Sequence, residues 1–476
     1  MIEFMIHLQG DGDIPLYEQI YESIRKNISD GKVSQGEKLP STRFMAKYLQ
    51  VSRSTVELAY EQLLSEGYIE SQPCRGYYVC DIADLYELQE KSLYPKENLE
   101  QKEIDSKETK YLDFTADGID YKHFPFNIWR KIHKNLLLDD RDEILLSGDG
   151  QGEYGLRNAI AKYLYQARGV KCEPDDIVIG AGNEYLLILL SQLLGEKKHV
   201  LMENPTYLQA YRTFDNIGYQ VSCVSVEEEG GIPLEKIRQV APNLLYLMPS
   251  HQFPLGGVMP LKRRLELLKW ATEDEERFLI EDDHDSEYRY KGKPIPSLQG
   301  IDSHGKVIYL GTFSKSIAPS LRVSYMVLPK DLKKVYEERC AFYSTTVSRL
   351  SQDVLRVFLE EGHFGRHLNK MRGIYRNKHD KLVSVLKKYP WVKKIHGDNA
   401  GLHLLVEIET TMGENEIVEK AWECGMKLEG LSAYEVMEQK GDRFPTILLG
   451  YGNPAEEEIE QGMELLNEIL MSQKSE

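Results

Sequence analysis

A lysine and an aspartate, each placed just after a short apolar run, carry most of the chemical information in this chain. Val307-Ile308-Tyr309-Leu310 reads as a buried strand, and Thr312-Phe313-Ser314-Lys315 follows it. Arg322 stands seven residues after the lysine. Upstream, Phe278-Leu279-Ile280 is a second such run, ending in Glu281-Asp282-Asp283-His284. A lysine at one strand end and an acid at another are what pyridoxal phosphate (PLP) requires. The amine forms a Schiff base with the aldehyde, and the carboxylate keeps the pyridine nitrogen protonated. The hydroxyls of Thr312 and Ser314 and the guanidinium of Arg322 suit the cofactor phosphate as charge-assisted donors. One lysine alone would be a solvated surface residue; the ordered set on strand ends is harder to dismiss.

Other turns add to the set. Ile177-Val178-Ile179-Gly180 reads as a strand, and Ala181-Gly182-Asn183-Glu184 as a small-residue turn opening an apolar helix. Free backbone N–H groups at such a turn attract anions, although many strand-to-helix turns contain glycine. After the apolar run Val200-Leu201-Met202, Tyr207 is placed either to lie on a flat ring or to join the core. Tyr246-Leu247-Met248 leads into another polar turn, Ser250-His251-Gln252-Phe253-Pro254-Leu255-Gly256. Alternating strand-like and helix-like segments predict an α/β fold with a mainly parallel sheet.

The whole chain must position these groups. Its 476 residues predict two or three domains, and an apolar fraction of 41% with 28% charged residues is that of a soluble globular protein. A formal net charge of −17 means that any contact with nucleic acid must come from a local patch. The six cysteines are scattered, without a C-x-x-C pair, which argues for reduced thiols in a cytoplasm and against a zinc site. The N-terminus has no basic region, so no signal peptide is expected. The longest apolar stretch, from Tyr185 to Leu194, is too short for a bilayer.

Residues 81–110 are charged and poor in branched apolar side chains, and read as a linker between a front module (1–80) and a back module (111–476). The front module has helical spacing at Tyr17, Ile20, Tyr21, Ile24 and Ile28. Ser41 and Ser52 are placed to cap two further helices, the second running from about Arg53 to Glu66. Tyr68–Ser71 and Gly76–Val79 then read as a β-hairpin around the tip Gln72-Pro73-Cys74-Arg75. This is the pattern of a winged helix-turn-helix, although a small helical docking domain would share its helices. The module holds eight Lys plus Arg against eleven Asp plus Glu. Yet Lys38, Arg43, Lys47, Arg53 and Arg75 fall on the elements that would face a duplex.

Leu39-Pro40-Ser41-Thr42-Arg43, Val51-Ser52-Arg53-Ser54-Thr55-Val56 and Arg75-Gly76-Tyr77-Tyr78-Val79 resemble the DNA-binding head of GntR-type bacterial repressors. The resemblance implies double-stranded DNA as partner and Arg43, Arg53, Ser54, Thr55, Arg75 and Gly76 as contact residues, with Arg53 placed to read a base edge. Glu57 departs from relatives that carry a basic residue there.

Residues from about 111 to 470 resemble class I and II aminotransferases of PLP fold type I. The resemblance implies Lys315 as the Schiff-base lysine, Asp282 on the pyridine nitrogen and Tyr207 on the ring. Gly182, Asn183, Thr312, Ser314 and Arg322 would hold the phosphate. His284 stands where a tyrosine usually donates to the ring oxygen, and an imidazole can donate in its place. Phe253 occupies an asparagine position, so His251 or Gln252 is expected to take over that contact. Leu448 stands where aminotransferases have the arginine that grips the substrate carboxylate; Arg212 and Arg443 are possible substitutes.

A GntR-like head before such a body is similar to the MocR/GabR family of transcription regulators. That resemblance implies a cytoplasmic homodimer that binds an operator and senses PLP itself or an amino compound. Tyr154 and the helix after it resemble the segment that reaches a neighbour's cofactor. No metal site is expected. The competing reading is an active PLP-dependent aminotransferase.

Overall fold

The computed structural model describes residues 6, 8, 14–81, 111–138, 142–227, 230–290, 295–397, 400–437 and 443–472. Two compact units emerge, Met1–Lys107 and Glu108–Glu476. Apart from Asp81, the segment read as a linker, 81–110, lies outside the described residues.

In the first unit, α1 (Leu16–Ser29), α2 (Thr42–Leu49) and α3 (Arg53–Ser65) precede a hairpin of β1 (Ile69–Gln72) and β2 (Gly76–Val79). The caps form where the serines predict them. Ser41 Oγ accepts from the Phe44 N–H (3.2 Å), and Ser52 Oγ from the Thr55 N–H (3.1 Å). Ile20, Ile24, Val56, Ala59, Tyr60 and Leu63 make one small core with no exposed surface. The hairpin register pairs Ile69 with Val79 and Gln72 with Gly76. Gln72 therefore belongs to the strand and not to the tip, and Cys74 takes up the turn at φ 62°.

The second unit begins with β3 (Leu112–Asp113) and contains a seven-stranded sheet. Its strands are β4 (Ile177–Gly180), β5 (His199–Asn204), β6 (Gln220–Ser225), β7 (Leu244–Leu247), β8 (Phe278–Asp283), β9 (Val307–Thr312) and β10 (Ser324–Val327). Their order is β4-β10-β9-β8-β7-β5-β6. Only β10 runs against the rest, being antiparallel to both β4 and β9. Helices cover both faces, which is why the central strands read as unbroken apolar runs, Leu244–Leu247 being buried throughout. The loops after β4, β5, β7, β8 and β9 leave by one edge, the edge where α/β sheets collect ligands.

A smaller antiparallel sheet follows: β11 (Val392–His396), β12 (His403–Ile408), β14 (Glu429–Gly430) and β15 (Thr446–Gly450), in the order β11-β12-β15-β14. Before β14, the short β13 (Met426–Lys427) pairs with β3 in parallel. The Phe114 N–H also donates to Lys427 O at 2.8 Å, which carries residues 114–118 toward the large sheet's ligand edge. No helix among the described residues is long and apolar enough to cross a membrane.

Candidate functional site

A cavity of about 310 Å³ opens at that edge. Lys315, Asp282, His284, Tyr207, Gly182, Asn183, Thr312, Ser314 and Arg322 all line it. They come from the ends of β8 and β9 and from the turns after β4, β5, β8 and β9, so the fold gathers nine residues that span positions 182 to 322.

Asp282 is 4% exposed on β8, opposite Leu310 of β9. The Tyr246 hydroxyl donates to it, and Asn183 Nδ2 lies 3.4 Å from both carboxylate oxygens. Burial pushes its pKa up. A carboxylate with raised proton affinity, held from two sides, is suited to share a proton with a ring nitrogen. Lys315 Nζ donates to Ala116 O (2.9 Å) and Asp117 Oδ1 (2.8 Å). In return the lysine charge holds the Asp117 carboxyl below the usual range.

The phosphate candidates form a second cluster. Thr312 Oγ1 donates to Ser314 Oγ (3.0 Å) and accepts from the Ser314 N–H (3.1 Å) and Ser324 Oγ (3.0 Å). Arg322 sits at φ 49°, and its Nη2 pairs with Glu184 Oε2 at 3.0 Å. Gly182, at φ 102°, leaves no room for a side chain: a Cβ there would lie 2.2 Å from Arg322 Nη2. Asn183 opens the Asn183–Leu194 helix, whose first N–H groups have no partner within the helix. Buried Asn183 Oδ1 finds no hydrogen-bond partner in the protein, and His284 Nε2 lies 3.4 Å from Asp285 Oδ1 without a hydrogen bond. This donor set, with unpaired polar atoms around it, fits a phosphorylated pyridine.

Two expectations need correction. Neither His251 nor Gln252 lines the cavity. His251 Nδ1 is held by Asp285 at 2.9 Å, and Gln252 Nε2 donates to Pro205 O at 2.9 Å, because both are buried polar groups that need partners inside the protein. Phe253, Asp285 and His403 face the cavity, along with His284. Neither proposed substitute arginine is there. Arg212 is exposed on the Leu208–Asn216 helix, and Arg443 pairs with Glu435 beside a separate cavity of about 760 Å³. Leu448 has no exposed surface; it pairs with Leu405 of β12 and packs in the core. Arg322 is thus the one arginine among the lining residues.

Asp117, Tyr246, Asp285 and His403 were missed as sequence candidates. Tyr246 had a signal, since a tyrosine in a fully apolar strand must find a partner for its hydroxyl. Asp117 had none, because only the β3–β13 pairing brings it to a lysine almost two hundred positions away.

In the first unit, Arg43 lies in the first turn of α2, Arg53, Ser54 and Thr55 in the first turn of α3, and Arg75 and Gly76 at the hairpin turn. Arg43, Arg53 and Arg75 are exposed. Ser54 and Thr55 share hydroxyl contacts with Ser52 (2.8 and 2.7 Å), so the cap also orients them. Arg53 Nε pairs with Glu57 Oε1 at 2.7 Å, one turn along the helix.

Residues 110–426 match the family described as aminotransferase class I and II, and residues 16–79 match the gntR family of bacterial regulatory proteins. The chain is 41% identical to YdeL of Bacillus subtilis, an uncharacterized HTH-type transcriptional regulator, over 95% of this chain and 96% of the relative. It is 29% identical to MocR of Rhizobium meliloti, a probable rhizopine catabolism regulatory protein, over 99% and 97%. It is 31% identical to PdxR of Corynebacterium glutamicum, an HTH-type pyridoxine biosynthesis transcriptional regulator, over 82% of each. Among solved structures, an archaeal alanine:glyoxylate aminotransferase superposes with a TM-score of 0.68 at 22% identity, covering 76% of this chain and 91% of the other.

Proposed function

This chain belongs to the MocR/GabR family of transcription regulators, with a GntR-type head and an aminotransferase-like body, and on that footing we propose that it is a PLP-dependent genetic switch. The carrying observation is that one cavity collects Lys315, Asp282 and the whole phosphate cluster, in a chain that also has a helix-turn-helix head. Residues 1–80 would bind double-stranded DNA in the cytoplasm, 81–110 would link, and 111–476 would dimerise and sense. The relatives' regulatory names support this reading.

When bound, PLP supplies an aldehyde that reacts with primary amines and an electron-poor ring. The rest falls to the chain. Lys315 would anchor the cofactor, and Asp282 would keep the ring nitrogen protonated while Tyr246 and Asn183 fix the carboxylate. Tyr207 would stack on the ring, and the His284 imidazole would donate to the ring oxygen. Gly182, Asn183, Thr312, Ser314 and Arg322 would hold the phosphate. The effector is PLP or an amino compound that meets it. The full cofactor set also favours an aminotransferase; the buried Leu448, in place of a carboxylate clamp, argues against rapid turnover.

The test is to measure operator binding with apo and PLP-loaded protein, alongside an amino-transfer assay. The expected outcome is a visible absorption band that Lys315→Ala removes, and a shift in operator affinity with loading. Turnover on the order of 1 s⁻¹ or faster, with no effect of PLP on DNA binding, would favour the enzyme.

A further inference from the structure

We propose that the ligand admitted beside the cofactor is an organic cation without a carboxylate, recognised by Asp117. This rests on the PLP reading for its setting but not for its anchor. The charges lining the cavity decide it. Four carboxylates face it, from Asp117, Glu184, Asp282 and Asp285, against two fixed cations, Lys315 and Arg322.

Two of the four carboxylates keep their partners in the loaded site, and a third, Glu184, shares Arg322 with the phosphate. Glu184 pairs with Arg322 at 3.0 Å, Asp285 holds His251 at 2.9 Å, and Asp282 receives Tyr246 and Asn183. Asp117 has Lys315 alone, at 2.8 Å. Once that lysine anchors a cofactor, its nitrogen keeps at most one N–H, so Asp117 has acceptor capacity to spare. Its side chain is 75% exposed, so an entering ligand reaches it. The field behind it is also negative: the Ala116 N–H donates to Glu429 Oε2 at 3.2 Å.

No lining arginine or lysine is free to hold a carboxylate. Arg322 belongs to the phosphate cluster, Leu448 is buried away from the cavity, and burial pushes the His403 pKa down to about 3, so that imidazole stays neutral. A carboxylate would meet Asp117 and like charge; an ammonium would meet a free partner. The chemical class is therefore a diamine or a similar amine with a second cationic group.

The test uses four-carbon ligands that differ only at the far end: 1,4-diaminobutane, 1-aminobutane and 4-aminobutanoate. Calorimetry on the PLP-loaded full chain, free of excess cofactor, should rank them in that order. The diamine should bind about fivefold tighter than the monoamine, the gain of one partly exposed ion pair. The amino acid should bind at least about tenfold more weakly than the diamine, because a charge-assisted anchor is missing. Asp117→Asn should erase the diamine's advantage over 1-aminobutane. A second arm needs no cofactor: Lys315→Ala leaves Asp117 unpaired and should bind 1,4-diaminobutane, and adding Asp117→Asn should abolish this. If the wild type shows no cofactor band yet the second arm holds, the PLP reading fails and this one stands. If the band is present but 4-aminobutanoate binds as tightly as the diamine, or Asp117→Asn leaves the ranking unchanged, this inference is overturned and the PLP reading remains.

Discussion

Gly182 shows how one residue type can shape a cavity. Its φ of 102° excludes most side chains, and the space where a Cβ would go belongs to the Arg322 guanidinium. Gly182→Ala should therefore strain the turn and displace the arginine, the far end of a flexible side chain. PLP affinity should fall about tenfold, in line with a lost charge-assisted hydrogen bond. Titration of apo protein with PLP reads this out; unchanged affinity would remove Arg322 from the phosphate site. Glu203, at the ligand end of β5, makes a different point. It is 1% exposed, one carboxylate oxygen has no partner, and burial pushes its pKa up to about 7. Below about 4.5 both folded and unfolded states hold the proton. Between 4.5 and 7 the unfolded chain releases it first, so folding stability contributed by this group falls as pH rises. Glu203→Gln removes that loss. It should stabilise the body by about 1–3 kcal/mol at pH 8 and do little at pH 4. Thermal melts at the two pH values check the sign, and an equal effect at both would show that ionisation is not the cause.

Among the elements, α3, the helix expected to read DNA, carries a built-in counter-charge. The exposed Arg53 and Glu57 are paired along its surface, so a base edge or phosphate must compete for the guanidinium. Arg53→Ala should cost about 1–3 kcal/mol at the operator and less on random DNA, since a base contact specifies while phosphate contacts only position. Glu57→Ala should act in the opposite direction, tightening binding to all sequences by freeing the arginine and removing a negative charge. Fluorescence anisotropy against operator and scrambled duplexes separates the two, and parallel changes in both variants would sink the assignment of Arg53 to a base. The elements were also where the sequence was most legible. Ser41 and Ser52 announced their helices because an N-cap needs only a local hydroxyl and a local N–H. Val307–Leu310 and Phe278–Ile280 announced their strands because burial on both faces demands unbroken apolar runs. Asp282 and Lys315 could be paired because both lie at ends of strands that prove adjacent. What stayed hidden depends on long-range pairing. Asp117 reaches Lys315 only through β3 and β13. His251 and Gln252 sit in the expected turn but point inward, since each found a buried partner that no local pattern encodes.

For the whole molecule, the remaining question is how cofactor occupancy reaches a duplex. The second unit exposes Leu145 (86%), Leu146 (63%), Tyr154 (56%) and Phe342 (77%), more apolar surface than scattered single residues would explain. The segments that carry them adjoin. A Cβ on Gly150 would lie 2.3 Å from Tyr343 O, and Arg349 Nη1 donates to Glu143 O. The same patch borders the turn that holds Gly182, because the Ala181 N–H donates to Thr346 Oγ1 at 3.0 Å. A second copy of the body covering this surface would therefore rest one residue from the glycine of the proposed phosphate site. Dimerisation and PLP binding would then be linked, each tightening the other. Two heads on one dimer would engage two half-sites, whereas a monomer engages one. The combined Leu145→Asp and Phe342→Asp substitutions should convert the body, residues 111–476, from dimer to monomer at micromolar concentration in sedimentation equilibrium. In the full chain they should weaken PLP binding, although neither residue lines the cavity, and lower affinity for a two-half-site operator far more than for a single half-site. A wild-type body that sediments as a monomer would break this chain of coupling at its first step. A monomeric variant that keeps full PLP affinity would break it at the second, leaving the heads to be positioned by something other than the cofactor site.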